Sequence, residues 1–260
     1  VFNLRGRLRV AWYSQNLMSF WKYSSPQYFY PLAKKLASIF FVFAICLTVW
    51  GLYIGFFVAP TDFQQGESYR IIFIHVPAAW MSMFIYLMMS FWAGIGLVMN
   101  TRLSSMMAHA LAPTGAMMTF IALWTGALWG RPTWGAWWVW DARLTSELIL
   151  LFLYIGYMAL RSSIEDPRRG DKASAILALV GVVNVPIIYF SVQWWNTLHQ
   201  GASVSFTKSP SMASSMLSGM LVMALAFWMY SIAVSLIRVR KIIRDRESNT
   251  GWLNESKGAG

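Results

Sequence analysis

The chain has 260 residues, of which 57% are hydrophobic and only 12% are charged, and it contains 15 Trp, 17 Phe and 16 Met. This composition excludes an ordinary soluble domain and is typical of a polytopic membrane protein. A formal net charge of +11 would also suit a nucleic-acid-binding protein, but the charges cluster between long apolar stretches, as they do in membrane proteins.

Six apolar stretches predict transmembrane helices, so the predicted fold class is an all-α polytopic membrane protein. In chain order they cover 36–59, 71–99, 106–129, 144–160, 173–192 and 212–237. We expect one integral membrane domain over 1–260, ending in a cytoplasmic tail at 238–260. Cys46, the single cysteine, lies within the first stretch and is interpreted as a small core residue. Asn184 and Pro186 in the fifth stretch predict a kinked helix with an interhelical hydrogen bond.

Lysine and arginine predict the orientation in the membrane, because cytoplasmic loops are enriched in both. One side of the predicted topology carries 17 of the 21 basic residues, and the other carries only Arg70, Arg131, Arg143 and Lys208. Both termini are therefore predicted to be cytoplasmic. The segment 129–143, between the third and fourth helices, is predicted to lie on the outer face.

This outer segment is unusually rich in tryptophan. Its aromatic residues are Trp129, Trp134, Trp137, Trp138 and Trp140. Indole rings favour the membrane interface, so the segment predicts a shelf for a large, flat, apolar ligand. It also contains Arg131, Asp141 and Arg143. Asp141 either caps the fourth helix or forms part of the ligand pocket or of a surface that binds a partner protein, and one residue could do both. Glu147, four residues after Arg143, is either interfacial or directed into the helix bundle.

Two of the three histidines share the predicted outer face with this segment. Pro77 suits the first turn of a helix, so His75 is expected just outside the helix start. His199 is expected in the outer loop after the fifth stretch, whereas His109 lies near the cytoplasmic end of the third. Alone, either outer histidine is more simply an interfacial polar residue than a ligand.

The joint placement of two histidines, indoles and arginines favours a haem site. Haem iron takes axial imidazoles, the macrocycle stacks on indoles, and its propionates pair with guanidinium groups. We therefore predict transient, non-covalent binding of haem b between His75 and His199. The chain has no Cys-x-x-Cys-His motif and no P-loop, so a partner would have to supply any ATP-driven step.

The motifs WGRPTWGAWWVWDARLTSE at 129–147, FIHVPAAW at 73–80 and LHQG at 198–201 together resemble the haem exporter protein C family of the cytochrome c maturation system. The Trp-rich run resembles the "WWD" signature of haem-handling proteins. The resemblance extends over all six predicted helices. It identifies His75 and His199 with the two axial histidines of that family.

The resemblance implies a multi-pass protein of the bacterial inner membrane that is not itself an enzyme. It would present haem on the periplasmic side to a haem chaperone, cytochrome c maturation protein E. The other implied partners are an ABC-type ATPase, a second membrane protein and a small membrane protein, which are components A, B and D of the same maturation system. Two alternatives remain open, namely a permease that moves haem across the membrane and a b-type haem electron-transfer protein.

Overall fold

The computed structural model describes residues 22–199 and 212–253. These residues are almost entirely helical. The α-helices are α1 (Pro26–Tyr53), α2 (Ile72–Met99), α3 (Arg102–Trp134), α4 (Ala142–Ser163), α5 (Pro167–Gly181), α6 (Asn184–Trp194) and α7 (Ser214–Arg246). A π-helical turn, Ile54–Val58, extends α1, and a 3₁₀ turn, Glu67–Ile71, leads directly into α2.

Within the part of the chain that the structure describes, six helical segments are long and apolar enough to cross a membrane, which confirms the predicted all-α polytopic class. Each coincides with one predicted stretch, and α5 and α6 together form the fifth. The helices extend beyond the apolar stretches: α3 continues through the first part of the 129–143 segment to Trp134, and α7 continues to Arg246 in the predicted tail. A helix of 33 residues is roughly 50 Å long, so its ends project beyond a hydrocarbon core of about 30 Å.

The fifth segment is interrupted between α5 and α6. Pro186 has no N–H to donate to the carbonyl of Val182, so the helix cannot continue regularly there. Asn184 Nδ2 instead donates to the backbone oxygen of Ser146 on α4, at 2.9 Å. The predicted kink and interhelical hydrogen bond are thus confirmed.

The first helix keeps Cys46 outside the core. The buried residues of α1 are the small side chains Ala33, Ala37, Ala44 and Gly51, which form one stripe packed against α7. Cys46 lies off this stripe and is exposed on the outer surface of the bundle. The prediction that it is a core residue is wrong, because apolar character does not determine which side of a helix is buried.

Consecutive spans run antiparallel, so two sets of connections lie at opposite ends of the bundle. At the end where α1 begins and α7 finishes, Asp171 joins α4, α5 and α7. It accepts hydrogen bonds from Arg161 Nε at 2.6 Å and from both terminal nitrogens of Arg246, at 2.7 and 2.9 Å. The other end, here called the histidine end, carries His75, the 129–143 segment and His199.

Candidate functional site

His75 lies inside the first turns of α2, with its imidazole against α3. Its Nδ1 is 3.1 Å from Thr125 Oγ1, and its ring meets Trp129 edge to face, with 5.6 Å between centroids. Gly126 permits this approach, since a Cβ there would be 3.0 Å from His75 Cε1. The expectation that His75 precedes the helix is wrong, because the Glu67–Ile71 turn runs straight into α2 and places Pro77 within the helix.

His199 follows α6 in an irregular segment and packs on the end of α3. Its imidazole lies edge to face with Trp134, at 4.7 Å between centroids. Its Nδ1 is 3.4 Å from Asp141 Oδ2, and its side chain is only 16% exposed. Burial, aided by the nearby positive charge of Arg143, lowers the pKa of His199. The imidazole is therefore neutral near pH 7, which is the form that binds metals.

Asp141 has the capping role considered from the sequence. Its Oδ1 accepts a hydrogen bond from the backbone N–H of Leu144, at 2.8 Å, and so caps the start of α4. Its other carboxylate oxygen faces His199. The cap fixes the side chain in space, and the imidazole is held by a carboxylate that is itself anchored to a helix.

The two histidines line one small cavity together with Arg143 and Glu147. The cavity measures about 20 Å³, which is room for about one water molecule. Arg143 Nη1 donates to the backbone oxygen of Ile188, at 3.3 Å.

Glu147 is buried in the bundle and accepts a hydrogen bond from Ser82 Oγ on α2, at 2.7 Å. Its interior position was one of the two alternatives weighed from the sequence. The sequence signal for this position is that Glu147 is ionisable and lies within a predicted span, where such residues almost always face the bundle interior. Sequence reasoning missed Thr125, because nothing local marks a residue that contacts a histidine 50 positions away.

The tryptophan-rich segment divides into an anchored part and an exposed part. Trp129 Nε1 donates to Gln65 Oε1, at 2.7 Å. Arg131 donates to the backbone oxygen of Gly135, where α3 ends in a left-handed residue with φ of 76°. Trp137 and Trp140 are 56% and 77% exposed.

Trp138 packs edge to face against Trp140, with 5.3 Å between the ring centroids. Among the described residues, no acceptor reaches the buried Nε1 of Trp138. Buried indole N–H groups usually have a partner, so this donor is available to a ligand. Gln200, Gly201 and Lys208 lie outside the described residues.

A larger apolar groove lies along the side of the bundle, between α2, α6 and α7. It measures about 480 Å³ and includes Trp80, Phe84, Tyr189 and Trp228 in its lining. Its α2 residues lie between Trp80 and Leu87, roughly 8 to 18 Å along the helix from His75. The groove therefore lies at membrane depth, away from the histidine end.

His109 does not belong to the site. It lies on α3, 16 residues before Thr125 and so roughly 24 Å along the helix axis. Its surroundings include Arg161, Asp171 and Arg246 at the opposite end. The structure thus brings two of the three histidines together, as the sequence predicted, and separates the third.

Comparison with known proteins identifies the family of this chain. The profile of the family described as "Heme exporter protein C" matches residues 19–254. The relative of that name from Escherichia coli K12 is 49% identical over 211 residues, covering 81% of this chain and 84% of the relative. Those from Bradyrhizobium diazoefficiens and Haemophilus influenzae are 45% and 43% identical, covering 91% and 89% of this chain and 90% and 94% of the relatives. This chain belongs to the Heme exporter protein C family.

Proposed function

We propose that this protein binds haem b transiently at the histidine end, with His75 and His199 as the axial ligands, and passes it on for cytochrome c maturation. One observation carries the proposal: two imidazoles from distant parts of the chain line a single cavity beside the tryptophan-rich segment. The names of the relatives point to the same cargo.

The cavity between the histidines is too small for the haem ring as it stands. It measures about 20 Å³, whereas pockets for molecules of this size occupy about 300–1,000 Å³. His75 is fixed within α2, but His199 lies on an irregular segment in which Trp195 and Leu198 are half exposed. We infer that the cavity widens to admit the haem by displacement of the segment around Trp195 and Leu198, while His199 keeps its contact with Asp141, and that the aromatic residues of this segment would then pack on the ring.

The polar groups around the cavity suit the haem periphery. Arg143 lines the cavity and Arg131 lies at the end of α3, so both are available for propionates, which pair well with guanidinium groups. The unpartnered Trp138 Nε1 is a further donor to a propionate. The exposed rings of Trp137 and Trp140 offer a surface on which the haem or its acceptor can lie.

In this proposal the chain presents haem and performs no reaction on it. The charge distribution of the sequence favours the outer, non-cytoplasmic face for the histidine end, and the family resemblance implies that this face is the periplasmic side of the bacterial inner membrane. The acceptor is a periplasmic haem chaperone, cytochrome c maturation protein E. ATP hydrolysis would come from the ABC-type ATPase, component A of the maturation system, in a complex that also includes the membrane components B and D.

The axial ligation is tested by the Soret absorption of the purified protein. We expect the haem band to weaken in His75→Ala and in His199→Ala and to be lost in the double variant. His109→Ala is the matched control, since it removes a partly buried histidine from the same bundle roughly 24 Å from Thr125, and it is expected to retain the band. Wild-type haem binding in the double variant would refute the proposal.

The two alternatives give different results in other assays. A permease would move haem across sealed vesicles, and the lateral apolar groove of about 480 Å³ is the feature that would favour it. Leu87→Trp, in the lining of that groove, would then slow transport without changing the Soret band. An electron-transfer protein would turn over rapidly with quinone, which a site confined to one end of the bundle does not predict.

A further inference from the structure

The two histidines are held through the same ring nitrogen but by different kinds of acceptor. His75 Nδ1 faces the hydroxyl of Thr125 at 3.1 Å, whereas His199 Nδ1 faces the carboxylate of Asp141 at 3.4 Å. Each acceptor belongs to a different element of the structure from the histidine it contacts. Each imidazole is therefore oriented by a separate element of the bundle.

The hydrogen-bonding partners of Thr125 determine the tautomer of His75. Thr125 Oγ1 lies 2.6 Å from the backbone oxygen of Ile121, and a carbonyl can only accept, so the single hydroxyl proton is used there. Thr125 can then only accept from His75. The proton of the neutral His75 ring consequently lies on Nδ1, and its Nε2 carries the lone pair.

The same reasoning applies to His199, because an ionised carboxylate is only an acceptor. The neutral ring of His199 must place its proton on Nδ1 to bond with Asp141, and its Nε2 is then unprotonated. Both rings line one cavity. Each imidazole is thus prepared to bind a metal through Nε2, with its other nitrogen fixed by a neighbouring acceptor.

We propose that Thr125 and Asp141 are the positioning residues of the haem site, that they fix His75 and His199 as Nε2 ligands, and that they make the two ligands unequal. A carboxylate acceptor increases the basicity of the imidazole it holds more than a neutral hydroxyl does. His199 is therefore the stronger electron donor to the iron, and His75 is the weaker. This inference rests on the proposed function.

The role of Thr125 is tested with variants that change one hydroxyl. Thr125→Val keeps the branched shape but cannot accept from His75, Thr125→Ser restores the hydroxyl, and Thr125→Ala removes it without a branched side chain. Thr119→Val is the matched control, because Thr119 is a buried residue of the same helix whose hydroxyl donates to Gly115 O at 2.8 Å. Haem is titrated into each purified full-length protein, and gel filtration verifies its fold.

We expect Thr125→Val and Thr125→Ala to bind haem about 10- to 100-fold more weakly. Their spectra should contain a larger high-spin fraction, which added imidazole reverses. Thr125→Ser and Thr119→Val should resemble the wild type. If Thr125→Val does not fold, the result for Thr125→Ala tests the role of Thr125. Affinity and spin state equal to those of Thr119→Val would overturn the inference for Thr125.

The role of Asp141 is tested through the reduction potential. Asp141→Asn keeps an oxygen that can cap α4 but removes the charge beside His199, so ferric haem is less stabilised and the potential should rise. Asp62→Asn is the matched control: Asp62 is another carboxylate near the histidine end, and it accepts from the backbone N–H groups of Gln64 and Gln65 at 3.0 and 2.8 Å. It should leave the potential unchanged.

Equal potentials in Asp141→Asn, Asp62→Asn and wild type would overturn the predicted inequality. The outcomes also separate this inference from the proposed function. If the Soret band does not depend on His75 and His199, the haem site itself is refuted. If it does depend on them but Thr125 and Asp141 variants have no effect, only the positioning roles fail.

Discussion

The packing of Tyr154 against Gly115 provides a quantitative test of the helix bundle. The ring of Tyr154 is fully buried, lies edge to face with Tyr86 at 5.0 Å, and donates its hydroxyl to the backbone oxygen of Ser82 at 2.8 Å. A Cβ on Gly115 would lie 2.1 Å from Tyr154 Cζ. Carbon atoms in contact are normally about 3.5–4.0 Å apart. Gly115→Ala therefore requires the ring to move by about 1.4 Å or more.

This displacement has two unfavourable effects on the free energy of unfolding. Overpacking a core costs about 1–3 kcal/mol, and breaking the bond to Ser82 leaves the buried hydroxyl of Tyr154 without a partner, at about 1–3 kcal/mol. The higher helix propensity of alanine offsets up to about 1 kcal/mol. We expect a net loss of about 3 kcal/mol, which lowers the Tm by about 6–12 °C for a chain of this size. Thermal denaturation of the purified protein in detergent measures this shift.

Gly94→Ala is the matched control, since it makes the same change in the helix α2. A Cβ at Gly94 would lie 3.5 Å from Leu179 Cδ2, an ordinary contact, so its Tm should be unchanged or slightly higher. If Gly115→Ala were as stable as Gly94→Ala, the packing described for Tyr154 would be refuted.

The remaining predictions concern the cavity between the histidines. Gly126→Val should force the imidazole of His75 away from Thr125, because a Cβ alone would already be 3.0 Å from His75 Cε1. We expect haem titration to show roughly 10-fold weaker binding. Gly126→Ala should have a smaller effect. Glu147→Gln should keep the wild-type Tm, because an amide can still bond to Ser82. Glu147→Ala removes that bond and leaves a void, so the free energy of unfolding should fall by about 2 kcal/mol. Thermal denaturation measures both variants.

Two results would contradict these expectations. Haem titrations that do not distinguish Gly126→Val from wild type would show that the imidazole is not confined by α3. Equal Tm values for the Gln and Ala variants at position 147 would show that the bond to Ser82 contributes nothing to stability.

The sequence predicted the parts of the structure that depend on local composition. The six spans follow from apolar runs of about 20 residues, and they appear in the structure with longer ends. The cap formed by Asp141 and the break near Pro186 also depend on short-range chemistry. The sequence put His75 and His199 at the same end as the tryptophan-rich segment, because alternating spans fix which connections share an end.

Other features depend on how each helix is rotated about its own axis, and the sequence did not predict them correctly. Cys46 was placed in the core although α1 buries a stripe of small residues that excludes it. His75 was placed before a helix that begins earlier than Pro77 indicates. The apolar stretch around Cys46 allows either side of the helix to be buried. Pro77 is compatible both with the first turn of a helix and with a position farther inside it.

By itself, then, the sequence determined that this is a six-span membrane protein with an aromatic segment and two histidines at one end, because hydropathy and span order are properties of the linear chain. Only the tertiary structure decided that Thr125 and Asp141 hold the two imidazoles and that Glu147 meets Ser82 between helices. These contacts join residues about 50 or more positions apart. They arise from the packing of antiparallel helices, which a pattern along the sequence does not specify.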